Sequence, residues 1–302
     1  MKKVALVILH YVDQRLTKEC LESTEKLNTE NLIFETIVVN NNPKEDLGEL
    51  KKQFKNFTFL ETGENLGFAA GNNLGINKAL ANNADAVLLV NNDTVLDKDL
   101  LLQLFKVANS EKTIGIVSPK IYFAPGYEYH KDRYRPKDLG KVIWYAGGVI
   151  DWQNILTSHR GVDEIDHGQY DIQEETDVIS GCAMLVSREV FEKIGLFDER
   201  YFLYLEDLDF CQRAKLAGFK IIYAPQAKLW HYNAGSSSVG SPLHDYFFAR
   251  NRMLFGIKYG QLRTKLALIR ESFRLLASGR PWQKIGVRDF YLRRFGRGSW
   301  KD

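Results

Sequence analysis

The feature that most constrains this chain is a series of short, mostly apolar runs separated by segments of helical character. Residues 4–9, 34–39, 57–60, 86–90 and 114–118 are β-rich and lack the polar–apolar alternation of a strand with one wet face. Between them, residues 16–27, 47–54, 72–80 and 99–108 read as helices. Strands apolar on both faces and alternating with helices predict a mostly parallel sheet covered on both sides, an α/β fold. The chain has 302 residues, room for one large α/β domain or two small ones.

In such sheets ligands sit outside the carboxyl ends of the strands. Three successive strand ends are polar here: His10-Tyr11, the three asparagines from Asn40 to Asn42, and Asn91-Asn92-Asp93. One polar end is a turn; three along one edge predict a site. No G-x-G-x-x-G follows the first strand and no G-x-x-x-x-G-K-[ST] occurs, so neither the dinucleotide fingerprint nor the phosphate loop is present.

Hydrophobic residues make up 45% of the chain and charged residues 26%, as in ordinary soluble proteins. No apolar run approaches the ~20 residues of a membrane span. The opening Met1-Lys2-Lys3 and the short run that breaks at His10 read as a first strand, not a signal peptide. Cys20, Cys182 and Cys211 are widely spaced and odd in number, which predicts reduced, buried thiols in a cytoplasmic protein. Charge is unevenly placed. Residues 245–302 hold fourteen Lys/Arg against four Asp/Glu, whereas residues 1–244 hold 27 against 34. A basic tail on an acidic body predicts an anionic surface as its partner, a membrane in preference to nucleic acid.

Beyond residue 120 the pattern weakens, and residues 120–176 predict loops and irregular strands. Residues 178–186 return to strand character, interrupted at Ser180-Gly181. Residues 189–194 read as a short helix and 220–223 as a last strand. Asp198, Glu199, Glu206, Asp207 and Asp209 lie within an aromatic stretch, where carboxylates are costly unless something pairs with them. In the tail, Leu262, Leu266, Ile269, Phe273 and Leu276 fall on one helical face, with Arg263, Arg270 and Arg274 largely off it. That face predicts either packing on the body or a helix lying on an anionic membrane.

Four motifs occur in order: N-L-G-F-A-A-G-N-N-L-G-I at 65–76, L-L-V-N-N-D at 88–93, G-L-F-D-E-R-Y-F-L-Y-L-E-D-L-D-F-C-Q-R at 195–213, and A-P-Q-A-K-L-W-H at 224–231. Together, across residues 3–260, the chain resembles the family 2 inverting glycosyltransferases of the GT-A fold, nearest their rhamnosyltransferase-like branch. The resemblance implies a Rossmann-like sheet flanked by helices, with a catalytic unit at 1–240 and a basic amphipathic helical tail at 241–302. It implies transfer of a sugar, rhamnose among the candidates, from a dTDP or UDP donor to a saccharide or lipid-linked saccharide. The setting it implies is cell-envelope polysaccharide synthesis in the cytoplasm, peripheral to the membrane's inner face.

The leaving diphosphate gains charge in such a reaction, and a divalent cation offsets it. The family's Asp-x-Asp-like strand end falls here on Asn91-x-Asp93, with Asn in place of the first Asp. The resemblance implies Asp93 and His231 as ligands of Mn²⁺ or Mg²⁺, with Asn91 assisting; the imidazole tilts the choice to Mn²⁺. It makes Asp207 the base that takes the acceptor's proton and Glu206 a neighbour that raises the pair's proton affinity. Asp209 is expected to hold the following helix through Arg213. The nucleotide and donor sugar are expected on His10, Tyr11, Asn40, Asn65, Gly67, Asn73, Asn91, Asn92, Asp93 and Gly181. Cys182 is expected to be filler. A homodimer through the tail is a further expectation. The competing readings are a polyprenyl-phosphate sugar transferase and a catalytically silent nucleotide-sugar-binding module of the same fold.

Overall fold

The computed structural model describes residues 1–233 and 240–301. Its first half runs β1 (Lys2–His10), α1 (Gln14–Thr24), β2 (Leu32–Asn40), α2 (Gly48–Gln53), β3 (Thr58–Glu61), α3 (Gly67–Ala81), β4 (Ala86–Asn91), β5 (Thr94–Leu96) and α4 (Leu100–Ala108). Then come β6 (Ile114–Phe123), β7 (Ile143–Tyr145), β8 (Gly148–Asp151), β9 (Leu156–His159), β10 (Glu174–Glu175), β11 (Ala183–Ser187), α5 (Arg188–Ile194), α6 (Glu206–Leu216) and β12 (Lys220–His231). Three helices close the chain: α7 (Pro242–Tyr259), α8 (Leu262–Ser278) and α9 (Pro281–Tyr291).

The main sheet has the order β10-β12-β6-β11-β4-β1-β2-β3, with β5 on β12 and β7 on β6. β3, β2, β1 and β4 are parallel; β11 is antiparallel to β4 and β6, and β12 runs parallel to β6. The apolar character of β1 has a direct cause. Val4, Leu6 and Ile8 enter one core with Cys20, Leu50 and Leu104, while Ala5, Val7 and Leu9 enter a second core with Ile76, Phe210 and Phe255. Helices cover both faces, so both side-chain parities are apolar. The chain crosses from β3 at one edge to β4 beside β1, so the order reverses between β1 and β4, where such sheets open a crevice.

Three elements differ from the sequence-based expectation. β12 does not stop at residue 223. It absorbs Pro225 in an irregularity between Ala224 and Lys228 and pairs with β6 as far as His231. α3 begins at Gly67, so Asn72 and Asn73 lie inside the helix and not at its start. In α8 the buried residues are Thr264, Leu268 and Ser272. Of the predicted stripe, three residues face outward, Leu262 74%, Leu266 59% and Phe273 61% exposed, while Ile269 and Leu276 are half-buried. The tail is joined to the body instead through Met253, Leu254 and Phe255 of α7 and Leu268 of α8, which enter the second core. Residues 234–239, at the end of the expected catalytic unit, lie outside the described residues. No helix among the described residues is long and apolar enough to cross a membrane.

Candidate active site

A cleft of about 620 Å³ opens at the carboxyl ends of β1 and β4. One part of its wall comes from the strand ends and the loop before α3: Tyr11, Asn41, Asn65, Gly67, Asn91, Asn92 and Asp93. Another carries Gly181, Glu206, Asp207 and His231, and a third is apolar, with Trp144, Phe202, Leu203, Leu243 and Trp300.

Asp93 and His231 meet because the chain turns at Asn92 and runs back as β5 along the end of β12, with Thr94 opposite His231. His231 Nε2 lies 3.1 Å from Asp93 Oδ1, and Tyr232 N–H donates to the Asp93 carbonyl at 2.9 Å. The Trp144 ring meets His231 edge-on at 4.7 Å. Nδ1 of His231 is buried with no hydrogen-bond partner, and an orphaned polar atom beside a carboxylate calls for an explanation. This pair suits a divalent cation in its chemistry: a hard oxygen beside an imidazole nitrogen, inside a cleft. The described residues contain no group of three or more His, Cys, Asp or Glu placed to hold a metal, so most of the coordination would come from ligand and water oxygens.

The two carboxylates of interest open α6, where the helix dipole favours negative charge. Glu206 is almost fully buried, and its Oε2 has no partner. Burial, reinforced by the neighbouring Asp207 charge, pushes its carboxyl well above the usual range. Asp207 is also raised by burial, but Oδ2 accepts from Gly181 N–H at 2.9 Å and Oδ1 from Leu208 N–H at 2.8 Å, which favour the ionised form. Of the two, Glu206 is pushed up further, and the Gly181 and Leu208 amides favour the charged form at Asp207.

The loop that delivers these carboxylates is strained, with positive φ at Phe202, Tyr204 and Leu205. Side chains of α7 hold it. Asn251 Nδ2 donates to the carbonyls of Tyr201, Leu203 and Tyr204 at 2.8–2.9 Å. Arg250, fully buried, donates to the carbonyls of Arg200 and Tyr201. On the other side, the Phe202 carbonyl accepts from Phe68 N–H at 2.6 Å. Gly67 sits at φ +77°, and a Cβ there would come within 2.5 Å of that carbonyl, so only glycine fits. Asp209 is structural: it takes Arg213 Nε and Lys258 Nζ, each at 2.7 Å.

Of the residues singled out from the sequence, ten line the cleft: Tyr11, Asn65, Gly67, Asn91, Asn92, Asp93, Gly181, Glu206, Asp207 and His231. His10, Asn40 and Asn73 do not. His10 and Asn40 are register partners and the last residues of their strands. Their parity points them into the layer under α1 and α2, where Glu45 bonds both. Burial holds the His10 imidazole below its ordinary pKa. Asn73 bonds the Phe197 backbone from inside α3. Asn92 faces the cleft but also ties the turn to Val12 and Thr17. All three cysteines are free and buried, and burial pushes the Cys182 thiol well above its ordinary range, which disfavours a reactive thiolate there. Asn41 lines the cleft too; it was part of the polar strand end from Asn40 to Asn42, but only Asn40 was assigned a ligand contact. The apolar wall went unrecognised because its members come from four distant places in the chain.

This sheet, its reversal at β1 and β4, and the carboxylate–imidazole pair at the crevice define a GT-A fold. Two solved structures share it: GalNAc-T7 bound to UDP, GalNAc and Mn²⁺ (TM-score 0.60, 16% identity, 96% of this chain and 58% of that one), and the mannosyltransferase PcManGT of Pyrobaculum calidifontis bound to GDP-mannose and Mn²⁺ (TM-score 0.54, 15% identity, 96% and 74%). The chain belongs to the family described as glycosyltransferase like family 2, whose model matches residues 2–254.

Among its relatives, a low-salt glycan biosynthesis hexosyltransferase of Haloferax volcanii is 26% identical over 190 residues, 63% of this chain and 56% of that protein. An N-acetylglucosaminyl-diphospho-decaprenol L-rhamnosyltransferase of Mycobacterium tuberculosis is 27% identical over 194 residues, 62% of each. The rhamnosyltransferase WbbL of Escherichia coli is 25% identical over 235 residues, 76% and 83%. The matched stretches therefore span less than two thirds of the first two relatives.

Proposed function

We propose that this protein is an inverting glycosyltransferase that moves a hexose, rhamnose being the leading candidate, from a dTDP or UDP donor to a saccharide or lipid-linked saccharide of the cell envelope. The observation that carries this reading is the common cleft shared by the Asp93–His231 pair and Asp207. The polar wall suits a nucleoside diphosphate: Tyr11 offers a ring, and Asn65, Asn91 and Asn92 offer amides that donate and accept. A divalent cation, Mn²⁺ or Mg²⁺, held by Asp93 and His231 with Asn91 nearby would offset the charge that grows on the departing diphosphate. Asp207, whose charged form two backbone amides favour, takes the proton of the attacking hydroxyl. Burial favours the neutral form of Glu206, which spares Asp207 a second adjacent charge. Direct displacement from the face opposite the leaving group inverts the sugar carbon and needs no covalent enzyme intermediate, in keeping with the inert Cys182.

The names of the relatives favour lipid-linked acceptors, and the outward apolar stripe of α8, flanked by exposed Arg263, Arg270 and Arg274, suits an anionic membrane face that would bring such an acceptor near. The test is nucleotide release from dTDP-rhamnose and UDP-sugars with and without Mn²⁺ and Mg²⁺, with product anomers read by NMR. Metal-dependent turnover with inversion is the expected result. Binding of nucleotide sugar without any turnover would favour a silent module.

A further inference from the structure

A segment without regular secondary structure keeps one conformation only where something ties it down. Here the last described segment is fastened by buried polar groups. Ser299 N–H donates to Asp289 Oδ2 at 2.9 Å and to Tyr246 Oη at 2.8 Å, and Tyr246 Oη donates to the same carboxylate at 2.6 Å. Arg250 Nη1 donates to the Gly296 carbonyl at 2.6 Å. Asp289, Tyr246 and Arg250 are all fully buried. Gly298, at φ +57°, lets the backbone pass so close that a Cβ would lie 2.1 Å from Tyr246 Oη. Burying a guanidinium and a carboxylate is costly, and here both are used to fix one conformation of a short terminal segment.

That conformation puts Trp300 on the wall of the cleft that holds Asp207. Its ring lies 4.7 Å from Trp282 and 6.1 Å from Phe247, and Phe247 stacks on Phe202 at 5.0 Å. Phe202 belongs to the loop that leads directly into Glu206 and Asp207. Arg250 binds that loop with Nη2 and the terminal segment with Nη1, so one buried side chain sets Trp300 relative to the carboxylates. The wall it completes is apolar, unlike the amide-rich wall at the strand ends. A sugar ring suits it, because a pyranose presents C–H bonds on one face and hydroxyls at its rim, and an indole packs against the first while leaving the second free.

We infer that residues 296–300 form a built part of the binding cleft, and that Trp300 is the platform for the acceptor's sugar ring. This rests on the transferase reading above and adds where the acceptor sits. The group that takes a proton must face the acceptor, and the aromatic wall continues from the loop that carries that group.

The test uses the full chain, a donor it turns over, and a panel of hexoses, N-acetylhexosamines and their short-chain diphospholipid conjugates, with Trp300→Ala and Trp300→Phe. Trp300→Ala raises the acceptor KM about tenfold, the loss of one aromatic contact, while the donor KM moves less than twofold. Trp300→Phe restores most of the acceptor KM. An unchanged acceptor KM in Trp300→Ala overturns the inference. So does a parallel rise in both KM values with a lowered melting temperature, which marks a purely structural segment. A wild-type protein that hydrolyses donor but glycosylates nothing in the panel also overturns it. A wild-type protein that turns over no nucleotide sugar refutes the underlying transferase reading instead.

Discussion

His231 Nε2 lies 3.1 Å from Asp93 Oδ1 although the two residues are 138 positions apart. The contact exists because a three-residue strand carries the chain from the end of β4 onto the end of β12. If the pair holds the cation, Asp93→Asn and His231→Ala each lower metal-dependent nucleotide release on the order of a hundredfold. Each also raises the Mn²⁺ concentration needed for half-maximal rate. A Mn²⁺ titration of initial rates checks this, and an unchanged midpoint in both variants sinks the assignment.

Asp207→Asn is expected to cut transfer by about 10²–10⁴-fold, the usual weight of a general base. Nucleotide-induced thermal stabilisation should persist. The acid limb of the rate profile should lie above the ordinary carboxylate range, because burial raises Asp207, and activity should fall as pH drops through it. Glu206→Gln should leave that limb in place, because burial pushes Glu206 up further than Asp207. A limb that moves by a full pH unit in Glu206→Gln contradicts this division of roles.

Glu206 also makes a stability prediction. Its folded pKa lies above its unfolded value, so the folded state holds a proton that the unfolded state has lost between those two values. Stability therefore falls as pH rises through that window. Glu206→Gln removes the penalty and should raise the melting temperature more at pH 8 than at pH 4. Melting curves at the two pH values decide it; an equal shift at both rejects the idea.

The loop before α6 depends on Asn251, which donates to three backbone carbonyls. Asn251→Ala leaves buried acceptors unmet and should cost about 1–3 kcal/mol. Gly67→Ala strains φ and drives a methyl into the Phe202 carbonyl, for about 2 kcal/mol or more. Urea denaturation measures both. A loss below half a kilocalorie in either would show that the loop is held by other contacts.

The outward stripe of α8 predicts that Leu266→Asp together with Phe273→Asp abolishes flotation with anionic liposomes, leaving the melting temperature nearly unchanged. Equal partitioning of wild type and variant removes the membrane proposal.

The parallel sheet was legible because five apolar runs lacked alternation, and a strand buried on both faces has no other pattern. That Asn91 to Asp93 line the candidate cleft was legible for the opposite reason: amides and a carboxylate do not suit the interior of such a strand. At β1 the same logic named one residue too many, and at β2 it chose the neighbour of the residue that lines the cleft. His10 and Asn40 close the hydrogen-bonded ladder and point under α1 and α2, whereas Tyr11 and Asn41 reach the cleft. Polarity marks where a strand ends, but only the pleat says which side the last residue faces.

The α8 stripe was read correctly as one helical face, yet its buried side is Thr264, Leu268 and Ser272. Periodicity finds an apolar face without naming what covers it.

By itself the sequence determined the local alternatives: which segments must be buried on both sides, where strands must stop, and which residue types stand at those stops. Tertiary structure alone decided that β5 would carry Asp93 to His231. It also decided that α7 would hold a strained loop in place and that the fastened segment 296–300 would set Trp300 on the cleft that holds the carboxylates. Those contacts join residues tens to hundreds of positions apart, and no local spacing encodes them. They arise only when packing of the two cores brings distant segments to the same edge of the sheet.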